Sequence, residues 1–177
     1  MQIDTERQPG AAPTAGTDTM LAWTGVVRHL QLTPRAFLPM HSMPELTLIA
    51  GIGVEGDRYM IGREAGFYSH KPEEGRQITL FEIETLWALQ RDHRIELAPI
   101  EHRRNVTVEG VPLTHLVGRQ FWLGETLLEA TRLSVPCRHI EEITGKSIFD
   151  QLINRSGLNC RILKGGVVRV GDAVRSA

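Results

Sequence analysis

Residues 45–62 read ELTLIAGIGVEGDRYMIG, and the fold turns on whether a helix begins at the three glycines of this stretch. Gly51, Gly53 and Gly56 spell G-x-G-x-x-G directly after a strand-like run, the spacing of a dinucleotide-binding turn. That turn works only when a helix starts at the motif, because the phosphates sit on the helix N-terminus. Here Asp57, Arg58, Tyr59, Met60, Ile61 and Gly62 come next, with a further glycine at Gly66, which is poor material for a long amphipathic helix. Glu73 and Glu74 lie near the distance expected of a ribose-binding carboxylate, but the surrounding HKPEEGR reads as a loop. A parallel nucleotide-binding sheet is therefore not expected.

On either side of this stretch the pattern is that of a β-rich chain. LAWTGVVRHLQL places Trp23, Val26, Val27 and Leu30 on a first strand, and ELTLIA forms a second. RQITLFEIETLWALQRDH predicts the main helix: Thr79 and Glu82 have capping-box spacing, and Ile83, Leu86, Trp87 and Gln90 succeed them at helical period. RRNVTVEG then alternates Val106 and Val108 with polar neighbours, which is a strand. QFWLGETLLEATRLS predicts a hairpin turning at Gly124-Glu125, and CRILKGGVVRVGDAV another turning at Gly165-Gly166. Two short helices are expected between them, from Pro136 to Thr144 before Gly145 and from Ser147 to Arg155 before Gly157. The fold class is mainly β with a few short helices, closed as a β-barrel.

With 177 residues and 20 Lys and Arg against 21 Asp and Glu, the chain suits one domain and carries no overall charge that favours nucleic acid. Residues 1–20, rich in Ala, Thr, Gly and Pro, read as a flexible tail, leaving 21–177 as the folded domain. No apolar run approaches the about 18 residues of a membrane span, and the N-terminus lacks a secretory hydrophobic stretch, so the chain reads as cytoplasmic. Two cysteines, Cys137 and Cys160, are too few for a disulfide framework and lack C-x-x-C spacing. H-E-x-x-H, G-x-S-x-G and Walker motifs are also missing.

The chemistry-bearing residues cluster late in the chain. Cys137 comes directly after Pro136 at the start of a short helix, where backbone N–H groups favour a thiolate. Such a sulfur can act as nucleophile, persulfide carrier or soft-metal ligand, and a small packed hydrophobe is an equally weighted reading. Cys160 alternates with Leu158 and Ile162 on an inward strand face, which turns Asn159 and Arg161 the other way, toward a polar cavity or solvent. Arg103, Arg104 and Asn105 form a donor-rich group suited to phosphate, or a surface charge run. Asp57 holds a carboxylate after the glycine loop, for a site or for its own turn, and Tyr68, His70 and Lys71 lie in a loop able to close over a ligand.

Read in order, GVEGDRY, RQITLFEIETL, RRNVTVEGVPLTHLVGRQFWLGETLLEATRLSVPCRHIEE and GLNCRILKGGVVRVGDAV closely resemble the MOSC domain, named for the C-terminal part of molybdenum cofactor sulfurases. The resemblance spans about residues 22–175 and lies in the ordered set rather than in any one motif. It implies a pyruvate-kinase-barrel-like β-barrel and binding of the molybdenum cofactor, a pterin dithiolene carrying a phosphate. In members that reduce N-hydroxylated compounds the Pro-Cys cysteine ligates molybdenum, and the matching residue is Cys137. By the same comparison Arg103, Arg104, Asn105, Asn159, Arg161 and Lys71 are expected to hold the cofactor, with Asp57 near the metal face. The chain shows no flavin, haem or iron–sulfur motif, so the reductase reading calls for an external electron-transfer partner and a small-molecule substrate. A persulfide on Cys137, loaded by a sulfur donor for cofactor maturation, is the second reading, and a non-catalytic cofactor-binding module the third. The absence of a sulfurase domain argues against pyridoxal phosphate.

Overall fold

The computed structural model describes residues 22–60 and 75–177; the tail expected over residues 1–20 lies outside them. Its centre is a closed barrel of seven strands. Thr24–Leu32 (β1) pairs on one edge with Val106–Glu109 (β6), which runs parallel to Ile78–Glu82 (β5). From β5 the wall continues antiparallel through Leu158–Lys164 (β9), Thr126–Leu133 (β8), Gln120–Leu123 (β7) and Ala173–Ser176 (β11). β11 then returns to β1, where Thr24 faces Arg175 and Val26 faces Ala173. His41–Met43 (β2) occupies the rest of that β1 edge.

Closure removes the open edges of the sheet and lets one face of every strand bury apolar residues. Val27, Leu30, Ile78, Leu80, Val106, Val108, Leu128, Leu158, Cys160 and Val174 fill the interior, each at most 1% exposed. A smaller sheet of Glu45–Ile49 (β3), Gly53–Val54 (β4) and Gly166–Arg169 (β10) packs beside it. The one parallel pair needs a crossover, and Ile83–His93 (α1) with the 3-10 turn Pro99–His102 supplies it. α1 and Arg138–Thr144 (α2) cover the outside of the barrel through a second cluster that includes Phe81, Leu86, Leu89, Ile140 and Leu152.

The glycines of residues 51–56 belong to a hairpin. Ile49 faces Gly53 and Leu48 faces Val54, so Gly51, at φ +71, turns the chain between β3 and β4, and no helix begins there through Met60. Four expectations change. Thr79 lies within β5 and gives its hydroxyl proton to Asn105 Oδ1; the N-cap is Glu82, which makes no side-chain cap bond and whose Oε1 accepts from the Leu113 N–H. The buried face of α1 is Thr85, Leu86, Ala88 and Leu89, whereas Trp87 is 53% exposed. The segment after Ser147 keeps only the 3-10 turn Asp150–Leu152. Finally, Gly165-Gly166 turns no hairpin: β10 leaves β9 to pair with β3, with Gly166 facing Leu48. The hairpin at Gly124-Glu125 forms as expected, with Leu123 facing Thr126.

Gly157 sets how closely β9 approaches β5. A Cβ there would meet the Leu80 carbonyl oxygen at 2.1 Å, and the residue holds φ +94. Gly157→Ala is therefore expected to destabilise the protein by about 3 kcal/mol or more, through strain plus displacement of backbone, measured as a fall in the urea midpoint.

Candidate functional site

Three neighbouring strands lay a row of polar side chains on the outside of the barrel. Thr79 sits between the inward Ile78 and Leu80, and Asn159 between Leu158 and Cys160. Thr79 faces Asn159 across the β5–β9 ladder, and Arg132 faces Asn159 across β8–β9. This row floors a cavity of about 310 Å3. Its walls come from loops: Arg58 and Tyr59 after the glycine hairpin, Arg76 before β5, His102 to Arg104 before β6, and Ser134 to Ile140 running into α2. Five arginines, Arg58, Arg76, Arg103, Arg104 and Arg132, line it, and no carboxylate is among the described lining residues. Such a wall suits an oxyanion with several acceptor atoms.

Neutral acceptors hold two of the arginines on one side. Arg104 Nε donates to the Ser156 carbonyl at 3.0 Å and its Nη2 to Ser156 Oγ at 2.9 Å. Arg58 Nη2 donates to the Arg103 carbonyl at 2.7 Å, and Nη1 approaches Met40 Sδ at 3.1 Å. The Arg58 and Arg76 guanidiniums lie 4.5 and 4.7 Å from the centre of the Tyr59 ring. Burial, with the charge of Arg58 second, lowers the Arg103 guanidinium from its ordinary value.

His102 organises the turn that carries two of these arginines. Its Nδ1 accepts from the Arg104 backbone N–H at 3.0 Å, which makes Nε2 the protonated nitrogen, 2.8 Å from Thr107 Oγ1. The ring stacks on Phe81 at 4.4 Å. Arg103 between them adopts φ +62, the left-handed conformation that lets successive side chains reach one cavity.

Cys137 is exposed and lines the cavity at the N-cap of α2, one residue ahead of the helical turn expected to contain it. Arg103, Arg104 and Asn159 line the same cavity, and Asn159 Oδ1 accepts from Ser134 Oγ at 3.0 Å. Other expected site residues lie elsewhere. Asp57 is completely buried, its carboxylate accepting the backbone N–H groups of Thr33 at 3.2 Å and Tyr59 at 3.1 Å, so it aims Arg58 and Tyr59 rather than forming the wall. Asn105 is behind the wall, bonded to Thr79 and Gln31. Arg161 Nη1 pairs with Glu129 at 2.9 Å one step along the sheet. Lys71, with Tyr68 and His70, falls outside the described residues. Cys160 is fully buried, and burial pushes its thiol up, as befits a packing residue. Sequence reasoning misses Tyr59, Arg76, Arg132, His102 and His139 as site residues. None of these carries a local signal: Arg132 has the parity of the inward Leu128 and Ala130, and it reaches the outer face only through the register shift between Ala130 and Arg132.

The sequence model described as "MOSC domain" matches residues 55–175. Among solved structures, the YuaD protein of Bacillus subtilis superposes with a TM-score of 0.72 at 20% identity, over 89% of this chain and 98% of that one. YiiM from Geobacillus stearothermophilus gives 0.63 at 12% identity over 86% and 75%, and YiiM from Escherichia coli 0.58 at 17% over 89% and 70%. At these identities the likeness is one of fold. No curated protein matches the chain in sequence.

Burial, with the Arg104 charge second, holds the His102 imidazole well below its usual value of 6.5. The unfolded imidazole takes up a proton near pH 6.5 that the native one refuses, so this residue's contribution is complete above that pH and is lost as the pH falls below it. The urea midpoint is expected to drop between pH 7.5 and pH 5 (about one unit either side of the ordinary histidine range), with a smaller drop in His102→Gln.

Proposed function

The chain belongs to the MOSC domain family, a molybdenum-cofactor-related domain, and on that footing we propose that it is a molybdenum-cofactor-dependent reductase of N-hydroxylated compounds with Cys137 as protein ligand to the metal. One observation carries the reading: an exposed thiol shares a cavity with five guanidiniums. Phosphate and a soft metal are the two groups such a donor set accepts, and the molybdenum cofactor carries both. Among the described residues no three His, Cys, Asp or Glu side chains converge to hold a metal ion.

In this reading Arg103 and Arg104 bind the anionic end of the cofactor. Ser156 and its carbonyl keep the Arg104 fork oriented, and the Arg103 carbonyl does the same for Arg58. Cys137 contributes a thiolate. When bound, the cofactor supplies the electron pair that cleaves an N–O bond, replenished by an external electron-transfer partner. The exposure of Cys137 also favours a second reading, in which it carries a persulfide sulfur for cofactor maturation.

Metal analysis of protein made in a host that synthesises the cofactor tests both. Near-stoichiometric molybdenum, lost in Cys137→Ala, is expected, together with reduction of an N-hydroxylated substrate by the wild type. No metal in either protein, with a control molybdoenzyme loaded in the same host, would overturn the reductase reading; a labile sulfur on Cys137 would then favour the carrier.

A further inference from the structure

Reduction of an N–OH group needs protons as well as electrons, and the cavity holds few groups able to give one. Carboxylates are missing from its described lining. His102 has Nδ1 accepting from the Arg104 backbone and Nε2 directed at Thr107, so its one proton is committed inside the fold. Cys137 serves as ligand in the reading above. His139 presents Nδ1 toward the exposed Glu142 at 3.5 Å, its Nε2 has no exposed surface from which to reach a ligand, and its ring edge lies on Phe37 at 3.9 Å. Among the described lining residues Tyr59 remains, a half-buried phenol beside the arginines.

We propose that Tyr59 is a catalytic residue that donates its phenolic proton to the oxygen leaving the N-hydroxylated substrate. The inference rests on the reductase reading. Cleavage of the substrate N–O bond would draw its electron pair from the cofactor when that is bound. The Tyr59 Oη proton passes to the departing oxygen, which leaves as water. A second proton, from solvent, completes the amine, and solvent also restores the phenol. Two electrons and two protons are consumed for each amine and water formed.

The surroundings of Tyr59 suit this task. Asp57 fixes its backbone through the 3.1 Å bond to its N–H. Among the described residues Arg58, Arg76, Arg103 and Arg104 bring positive charge to the ring or its hydroxyl. Burial alone would raise the phenol, but the charges of Arg58, Arg104 and Arg76, with a hydrogen bond from Arg58, outweigh it and hold the group below its usual value of 10.0. The same guanidiniums stabilise the phenolate left behind after the transfer. A general acid works best with a pKa near the operating pH, so this direction of shift favours the role.

The test is Tyr59→Phe, which keeps the ring under the guanidiniums and removes the hydroxyl. The sequence has two tyrosines, Tyr59 and Tyr68, so the phenolate absorbance of cofactor-free protein can be assigned by difference. One phenol titrating below the ordinary range near 10 and missing from the variant is expected. With loaded protein, molybdenum content and KM should be little changed, kcat should fall about 100-fold or more, and the wild-type alkaline limb should vanish, because only the protonated phenol donates. Unchanged kcat in Tyr59→Phe, an alkaline limb that survives in it, or a Tyr59 phenol titrating at its ordinary value would each overturn the proposal. A wild-type protein loaded with molybdenum yet inactive toward every N-hydroxylated substrate would instead overturn the reductase reading, and the proton-donor role with it.

Discussion

The side chain of Asn105 joins three strands at the point where the barrel meets the site. Its Oδ1 accepts from the Thr79 backbone N–H at 3.1 Å and the Thr79 hydroxyl at 2.8 Å, while its own backbone N–H donates to the Thr79 carbonyl at 3.0 Å. The Asn105 carbonyl accepts from the Gln31 N–H at 2.8 Å. β1, β5 and the start of β6 are thereby fixed in register, and Asn105 has no exposed surface on which water could substitute. Arg103 and Arg104 immediately precede it. The pair that dominates the cavity is therefore aimed by a buried amide.

Gathering five guanidiniums around one cavity raises an electrostatic cost that the fold meets locally. Like charges in a partly dry cavity repel, and each loses hydration. Carbonyl oxygens of Arg103 and Ser156, the Ser156 hydroxyl and the Tyr59 ring supply compensation without adding negative charge. A wall with internal carboxylates would be more comfortable and would also compete with an anionic ligand. These neutral partners orient Arg58 and Arg104, and the described lining, which holds no carboxylate, remains attractive to phosphate.

How far the sequence can be read depends on the range of the interactions involved. Alternation in residues 158–162 is a local signal, and it correctly separates the packed Cys160 from the outward Asn159. The Gly124-Glu125 hairpin is likewise local. Failures arise where a distant partner wins. Thr79 and Glu82 have capping-box spacing, but Asn105, 26 residues away, takes the Thr79 hydroxyl, and Glu82 Oε1 accepts from the Leu113 N–H at 2.8 Å. Gly165-Gly166 looks like a two-residue turn, yet β3 captures β10. Asn105 and Asp57 are legible as polar residues beside a site, but not as its supports, because nothing in a linear pattern separates a side chain that lines a cavity from one that braces the wall behind it.

Strain in the backbone is distributed in keeping with this division of labour. Of the four described non-glycine residues at positive φ, two adjoin the cavity: Arg103 at +62 and Phe37 at +68, next to the lining residue Ala36. Left-handed backbone costs about 1–3 kcal/mol per residue when the side chain is bulky. At Arg103 the return is visible, since the kink lets His102 bond the Arg104 N–H and lets the Arg103 carbonyl anchor Arg58. Phe37 is 58% exposed, so burial of its ring does not explain the conformation, whereas its edge-on contact with His139 at 3.9 Å ties the loop before β2 to α2 across the cavity. The barrel can absorb both costs because its own interior, closed on all seven strands, asks nothing of these loops.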